Sequence, residues 1–369
     1  MDSARAVVER DLRHILDKGN EAFAEMGGKR LLIVGGAGFL GYYLVQAALA
    51  WNRESPERPI TVTVFDNYIR GIPPWLSALE GTAGLYMVRH DISKPLPALL
   101  PDFDYIIHAG SIASPIYYRQ HPIETMDANV GGLRSLLEYA RTQAAKGLPL
   151  KSFLFYSSSE IYGDPTPGNI PTPETYRGNV SCTGPRACYD ESKRYGETLC
   201  VNFAQQHGIP VKVARPFNHY GPGLKITDGR LIPDFARDIL NNRDIVMLSD
   251  GSPRRTFCYV ADAVAGYYRM LVLGRPGEAY NIGIETPEIS VIELASKLAA
   301  VSRSLTGYKG TVVRKESVDR DYLVDNPERR CPDISKAREH FGYNPSIGLD
   351  EGLMRTMLWY RENREGSEA

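Results

Sequence analysis

Tyr189 and Lys193 stand four residues apart in Ala187-Cys-Tyr-Asp-Glu-Ser-Lys-Arg194. On a helix that spacing puts both on one face. A free tyrosine, with a pKa of about 10, is mostly protonated at neutral pH. A fixed ammonium beside it stabilises the phenolate, so the pair can act as a base. Y-x-x-x-K alone is common on surface helices. Here it follows a glycine-rich turn starting at Gly35 and a Ser-Ser-Ser-Glu run at Ser157 to Glu160. The three features together describe redox chemistry on a hydroxyl beside a bound dinucleotide.

Gly35, Gly38 and Gly41 form G-x-x-G-x-x-G between the apolar run Leu31-Leu-Ile-Val34 and a helical stretch from Phe39 to Trp51. Glycines at this junction permit a tight turn and close approach of a pyrophosphate to the backbone. The N–H groups and dipole of the helix N-terminus favour the phosphates. Asp66 ends the next β-branched run, Ile60 to Phe65, where a carboxylate can accept from both hydroxyls of the adenosine ribose. It would repel a 2′-phosphate, which points to NAD rather than NADP, although Arg70 follows closely. Asp91-Ile92 follows the third candidate strand and can meet the adenine.

These motifs need a scaffold. Further candidate strands are Leu85 to Val88, Tyr105 to His108, Ser152 to Tyr156 and Val211 to Ala214. Helical stretches at Ile123 to Ala145 and Tyr189 to His207 separate several of them. Apolar strands alternating with helices predict an α/β fold, a doubly wound parallel sheet of Rossmann type covered on both faces. Residues 216–255 carry loop signals at Pro216, Gly221-Pro-Gly223, Asp228-Gly229 and Asp250-Gly251 and read as a smaller substrate lobe. A helix near Ala261 to Leu273, a strand near Ala279 to Ile282 and a final helix near Leu349 to Arg364 follow. The expected division is an N-terminal helical extension (1–28), a dinucleotide-binding domain (29–217, completed by about 257–282) and a C-terminal substrate-binding domain (218–256 and 283–369). The extension is amphipathic, with Val7, Val8, Leu12, Ile15 and Leu16 to one side, and should pack on the body or on a second subunit.

The 369 residues carry 43 basic and 44 acidic side chains, without the basic excess of a general nucleic-acid binder. No apolar run approaches the ~18 residues of a membrane span, and the N-terminus lacks the apolar core of a signal peptide. The five cysteines have no C-x-x-C spacing and the seven histidines no H-E-x-x-H, so neither a disulfide framework nor a metal site is expected. A reducing cytoplasm fits this cysteine usage.

From about Lys29 onward the chain resembles the extended short-chain dehydrogenase/reductase family, in particular its nucleotide-sugar members. The resemblance rests on Gly35-Gly-Ala-Gly-Phe-Leu-Gly41, Asp66, Asp91-Ile92, Ser157-Ser-Ser-Glu-Ile-Tyr-Gly163, Tyr189 with Lys193, and Arg215-Pro-Phe-Asn218. Within that family it is most similar to the UDP-glucuronate decarboxylases, through Gly184 to Arg194, Ser159 to Pro165, Asp228-Gly-Arg230 and Cys331-Pro-Asp-Ile-Ser-Lys-Ala337. It departs at His108 to Pro115 and at Gly221 to Lys225, where the sugar would lie.

The resemblance implies a tightly bound, recycled NAD, a UDP-sugar substrate and a homodimer formed through two Rossmann-domain helices. It implies that Phe39, Leu40, Asn67, His108, Ala109, Gly110, Asn129, Ser157 and Pro216 join the glycines, Asp66, Asp91, Ile92, Tyr189 and Lys193 around the cofactor. Tyr189 would take the C4 hydroxyl proton, with Lys193 also bonding the nicotinamide ribose. A hydroxyl from Ser157 to Ser159 would orient the C4 oxygen, and the resemblance singles out Ser158. Glu160 and Arg255 would line the sugar; their alternatives are a structural hydrogen bond and a phosphate contact. Asn218, Lys225, Arg230 and Arg330 are candidates for the UDP, as arginine suits bidentate phosphate contact. Ser114, Tyr117, Tyr118 and Tyr280 can flank the sugar or base. A 4-epimerase needs the same Tyr–Lys pair. A 4,6-dehydratase needs an acid where this chain has Ser159. A catalytically silent NAD-binding regulator would lack Tyr189 or Lys193, and both are present.

Overall fold

The computed structural model describes residues 3–317 and 324–363. Seven parallel strands form one sheet: β1 (Arg30–Val34), β2 (Thr61–Asp66), β3 (Leu85–Arg89), β4 (Tyr105–His108), β5 (Ser152–Tyr156), β6 (Val211–Pro216) and the strand Ala279–Ile282. Their order is Ala279–Ile282, β6, β5, β4, β1, β2, β3. The chain leaves β1 toward β2 on one side and returns to β4 on the other. That reversal opens a crevice at the carboxyl ends of β1 and β4, where doubly wound sheets bind ligands.

Alternation along each strand builds two cores. Leu31, Ile33, Val62, Val64, Ile107 and Leu154 point to one face, under α2 (Phe39–Glu54) and the helix Val260–Leu273, with α1 (Ala4–Met26) packed outside those helices. Leu32, Val34, Phe65, Ile106, Phe153 and Phe155 point to the other, where Leu133, Leu136, Leu199 and Phe203 of the helices Leu133–Ala145 and Ala187–His207 meet them. Successive strand residues face opposite ways, so near-continuous apolar strands supply both layers.

The helix expected over Ile123 to Ala145 is interrupted. Pro122–Met126 is followed by a widened π-type turn, Asp127–Gly132, before Leu133–Ala145 begins. A Cβ at Gly132 would lie 2.9 Å from Ile92. The bare glycine lets this turn close on the loop after β3, at the crevice, where π-turns often occur.

The smaller lobe includes the helices Leu231–Leu240, Val291–Thr306 and Leu349–Glu362. A short sheet joins Ile289–Ser290, Arg254–Arg255 and Arg329–Arg330 and puts Arg330 in register with Arg255. Residues 1–2, 318–323 and 364–369, which fall within the expected extension and substrate-binding segments, lie outside the described residues.

Helix α1 packs on the helices α2, Val260–Leu273 and Leu349–Glu362. Its apolar face holds Val7, Leu12, Ile15, Leu16, Phe23 and Met26; Val8 is only half-buried. Asp11 is fully buried in that face. Its carboxylate accepts from Tyr43 of α2, from Tyr259 (2.6 Å) and from Arg355 of the last helix. The N-terminal helix therefore ties α2 to the helix Leu349–Glu362.

Candidate active site

A cleft of about 1100 Å³ runs from the carboxyl ends of β1 and β2 to the smaller lobe. At its head Gly35 has φ of 82°, and a Cβ there would lie 2.6 Å from the Gly110 Cα. A Cβ at Gly41 would lie 2.2 Å from the Gly36 carbonyl. Only glycine permits this turn, which leads into α2 with no side-chain cap at Gly38. Unspent N–H groups therefore face the cleft, as a pyrophosphate requires. Asp66 accepts from the Ala37 N–H (3.0 Å) and the Tyr68 N–H (2.9 Å) and braces the turn. Arg70 turns away from it, to Asp228 (3.4 Å), Thr227 (3.3 Å) and the face of Tyr117. Phe39, Leu40, Asn67, Asp91, Ile92, Ala109, Gly110, Ser157 and Pro216 line the same head, and the buried Ser157 hydroxyl has no protein partner. These residues fit a dinucleotide.

Three expected contacts do not line the cleft. His108 is buried, and burial followed by the Lys193 charge pushes it down to about 3, so it is neutral. Asn129 is fully buried; it donates to Ser192 Oγ (2.9 Å), which donates to the Tyr189 carbonyl (2.9 Å). Tyr280 is a core residue: its hydroxyl meets His340 (2.8 Å) and the Arg275 N–H (3.0 Å), and its ring packs on Phe341. Its strand lies at the sheet edge, away from the crevice.

Tyr189 and Lys193 share the buried face of Ala187–His207. Burial pushes the Tyr189 phenol up to about 12, opposed by a hydrogen bond with the Ser158 hydroxyl. Burial pushes the Lys193 ammonium down to about 7. Its Nζ donates to the Tyr156 carbonyl (2.8 Å) and lies 5.6 Å from the centre of the Tyr189 ring. Desolvation outweighs a cation already committed to a carbonyl.

Ser158 caps the short turn Ser159–Tyr162, accepting from the Glu160 N–H (3.2 Å). Glu160 does not face the sugar space alone. Arg330 grips its carboxylate at 2.6 and 2.7 Å, and Arg186 bonds the same group. Burial resists the charge, but Arg186 and then Arg330 prevail and hold Glu160 down to about 2. Arg330, expected at the UDP, is thus a partner of Glu160, because the strand pairing with Arg254–Arg255 brings it there. Arg255 lines the cleft, yet its guanidinium donates to the carbonyls of Arg254 (2.8 Å), Glu328 (3.0 Å) and Pro327. It holds the 326–328 segment against the cleft. Nearby Asp190 is buried, and burial followed by Glu160 pushes it up to about 8.

The far end of the cleft collects Ser114, Tyr117, Asn218, Lys225 and Arg230. Ser114 donates to the Asp228 carbonyl (2.7 Å), Asn218 to that of Thr256 (3.1 Å) and Lys225 to that of Arg70 (2.9 Å). Arg230 pairs with Asp228 (3.0 Å) and reaches the Ala113 carbonyl (3.3 Å). Arg70 and Arg230 share the one aspartate, with Lys225 beside them, an excess of positive charge that suits an anionic ligand. Arg186 and Asp190 were missed as site residues. The signal for Arg186 was its place three residues before Tyr189 in Gly184-Pro-Arg186.

Residues 31–283 match the NAD dependent epimerase/dehydratase family. The UDP-glucuronic acid decarboxylase 3 of Arabidopsis thaliana is 38% identical over 324 residues, 88% of this chain and 86% of the relative. Among solved structures, the dTDP-glucose 4,6-dehydratase of Streptomyces venezuelae, with NAD bound, superposes with a TM-score of 0.76 at 26% identity, covering 91% of this chain and 98% of that one. The UDP-glucuronic acid 4-epimerase of Bacillus cereus, in complex with UDP-glucuronic acid and NAD, gives 0.72 at 25% identity over 90% and 99%. The glycine turn, the Tyr–Lys helix and these likenesses agree, and the chain belongs to the NAD-dependent epimerase/dehydratase family.

Proposed function

We propose that this enzyme decarboxylates UDP-glucuronate to a UDP-pentose. The observation that carries the reading is the buried group of Glu160, Arg186 and Arg330 beside the hydrogen-bonded Tyr189 and Ser158, with Arg255 in register with Arg330. Three guanidinium groups with one ionised carboxylate leave an excess of positive charge next to the base, suited to an anionic sugar. The decarboxylase relative supports the same substrate.

NAD, held by the turn at Gly35, Gly38 and Gly41 and by Asp66, would supply a hydride acceptor and donor for C4, and its positive nicotinamide ring would favour the Tyr189 phenolate. Tyr189 takes the C4 hydroxyl proton, and Ser158 orients that oxygen. The C4 ketone lies β to the C5 carboxylate. Carbon dioxide leaves as the C5–carboxylate bond electrons pass into the enolate. Tyr189, now a phenol, donates a hydrogen bond to the enolate oxygen. A proton delivered to C5 restores the ketone, and reduction at C4 with return of the Tyr189 proton gives the pentose. Arg255 and Glu160 position the carboxylate and the water that protonates C5; a permanently charged guanidinium is a poor acid itself. Lys193 also bonds the nicotinamide ribose. Asn218, Lys225 and Arg230 take the UDP, with Ser114 and Tyr117 at the sugar or base.

Ser159 stands where a 4,6-dehydratase needs an acid for the leaving hydroxyl. Incubation with UDP-glucuronate decides: release of carbon dioxide with a UDP-pentose supports the reading. Unchanged mass with inverted C4 makes the enzyme an epimerase, and loss of water makes it a dehydratase. A homodimer in a reducing cytoplasm belongs to the same reading. The touching helices Pro122–Met126 and Ala187–His207 expose Ile123, Met126 and Tyr195, and all five cysteines are free thiols. Sedimentation tests the dimer.

A further inference from the structure

The segment that leaves β2 for the short helix Pro74–Ser77 runs along the cleft, with Asn67, Tyr68, Arg70, Pro73 and Trp75 among its lining. Its root is Asp66, whose carboxylate accepts from the Ala37 N–H of the glycine turn and from the Tyr68 N–H. Ile69 and Ile72 are exposed, so the segment lies at the surface. Beyond its root it is fastened at two places. At Arg70 the bonds run both ways. The guanidinium reaches Asp228 (3.4 Å) and Thr227 Oγ1 (3.3 Å) and lies 4.9 Å from the centre of the Tyr117 ring. The Arg70 carbonyl accepts from Lys225 (2.9 Å). At Trp75 the ring meets Tyr42 of α2 edge-on (5.1 Å), and Tyr42 meets Trp359 of the last helix (5.7 Å). The neighbouring Tyr360 hydroxyl donates to the Leu224 carbonyl (2.8 Å), so the last helix also holds the loop that Arg70 grips.

We propose that Arg70 is a retention residue for the dinucleotide: its clasp on the 225–228 loop holds the segment 67–75 as a strap over the bound cofactor. Release then waits on the strap. A surface segment pinned by a few side chains opens locally at far less cost than the whole fold. The inference rests on the head of the cleft being the dinucleotide site, and it holds whichever sugar is processed. It also explains an arginine so close to Asp66. A cation at the adenosine ribose would accommodate a 2′-phosphate, but this one is turned to Asp228 and Tyr117. A strap acts on the path, so unclasping it speeds entry and exit alike, and Kd moves less than either rate. A direct contact acts on the bound state, so its loss speeds exit alone and raises Kd by the same factor.

The test follows NAD entering and leaving the full chain. Holoenzyme is mixed with excess etheno-NAD, and the fluorescence change gives the release rate; titration of protein freed of cofactor gives Kd. Arg70→Met should release NAD about tenfold faster, the scale of a cation–π contact and a partly exposed ion pair together. Its Kd should move much less. Arg70→Gln serves if the methionine variant does not fold by circular dichroism. Trp75→Leu, which loosens the second fastening, should speed release in the same way. A folded Arg70→Met with an unchanged release rate overturns the proposal. So does faster release matched by an equal rise in Kd, because Arg70 would then touch the cofactor itself. Asp66→Ala run alongside separates the two ideas. Unchanged NAD affinity in that variant removes the dinucleotide site and the strap together. Weakened affinity there, beside an unmoved release rate in Arg70→Met, removes the strap alone.

Discussion

Arg330 Nη1 lies 2.6 Å from Glu160 Oε1, and Nη2 lies 2.7 Å from Oε2. This two-point pair joins the serine-rich turn after β5 to a strand of the smaller lobe. Arg186, three residues before Tyr189, completes the grip. These two segments are thus fastened beside Tyr189, as α1 and the last helix are at Asp11.

Glu160→Gln should be costly for fold and function. It leaves the Arg186 and Arg330 guanidinium groups without their shared carboxylate, and removing one partner of a buried pair costs about 3–5 kcal/mol. The folded pKa of Glu160 lies near 2, below the ordinary value of about 4.3. The stabilisation is therefore present above about pH 4.3 and lost as pH falls through about 2. Urea midpoints from neutral to acid pH check this. The variant should start lower and lack that component of the acid loss.

Tyr189→Phe should lower kcat by roughly 10²–10⁴-fold, the range for a positioned acid–base group. The ring stack with Tyr118 remains, so the melting temperature should barely change. Single-turnover assays with UDP-glucuronate measure the loss, and near-normal turnover excludes Tyr189 as the base.

Lys193→Met should kill turnover and yet stabilise the chain at neutral pH. The folded pKa is pushed down to about 7 by burial, against about 10.4 in the unfolded chain. Between those values the unfolded state binds the extra proton, so the wild type gains stability as pH rises through this window. The methionine variant should lose that slope, which thermal melts at pH 7 and pH 10 detect.

Asp11→Ala should destabilise by about 3–5 kcal/mol, because it removes the buried partner of the Arg355 guanidinium and leaves it only the exposed Glu351. Asp11→Ala with Arg355→Met should recover much of the loss, since an apolar replacement of both partners is often neutral. Denaturant midpoints for the two singles and the double close the cycle.

Asp66→Ala should weaken NAD binding by about tenfold, the loss expected for a hydrogen bond to a charged group. It should weaken NADP less, because the repulsion of a 2′-phosphate goes with the carboxylate. Fluorescence titration of both cofactors tests this. Equal losses for both remove Asp66 as the discriminating group.

The glycine turn, Asp66 and the Tyr189–Lys193 pair were legible in the chain because each depends on local geometry: a strand, a sharp turn, a helix N-terminus, or one helical turn. The strands were legible because the apolar runs are short, β-branched and bounded by helices. The π-turn at Asp127–Gly132 was not, since it depends on how closely Gly132 approaches Ile92.

By itself, then, the amino-acid order determined a doubly wound sheet, a glycine turn between strand and helix and a tyrosine–lysine pair on one helical face, all set by contacts among near neighbours in the chain. Only the tertiary structure decided which arginine meets Glu160, that Arg255 holds a loop, that Tyr280 belongs to the core, and that the Tyr118 ring stacks on that of Tyr189. Glu160 and Arg330 are 170 positions apart, and Tyr118 and Tyr189 are 71. No local rule reaches across such distances; the pairing of strands and the packing of helices do.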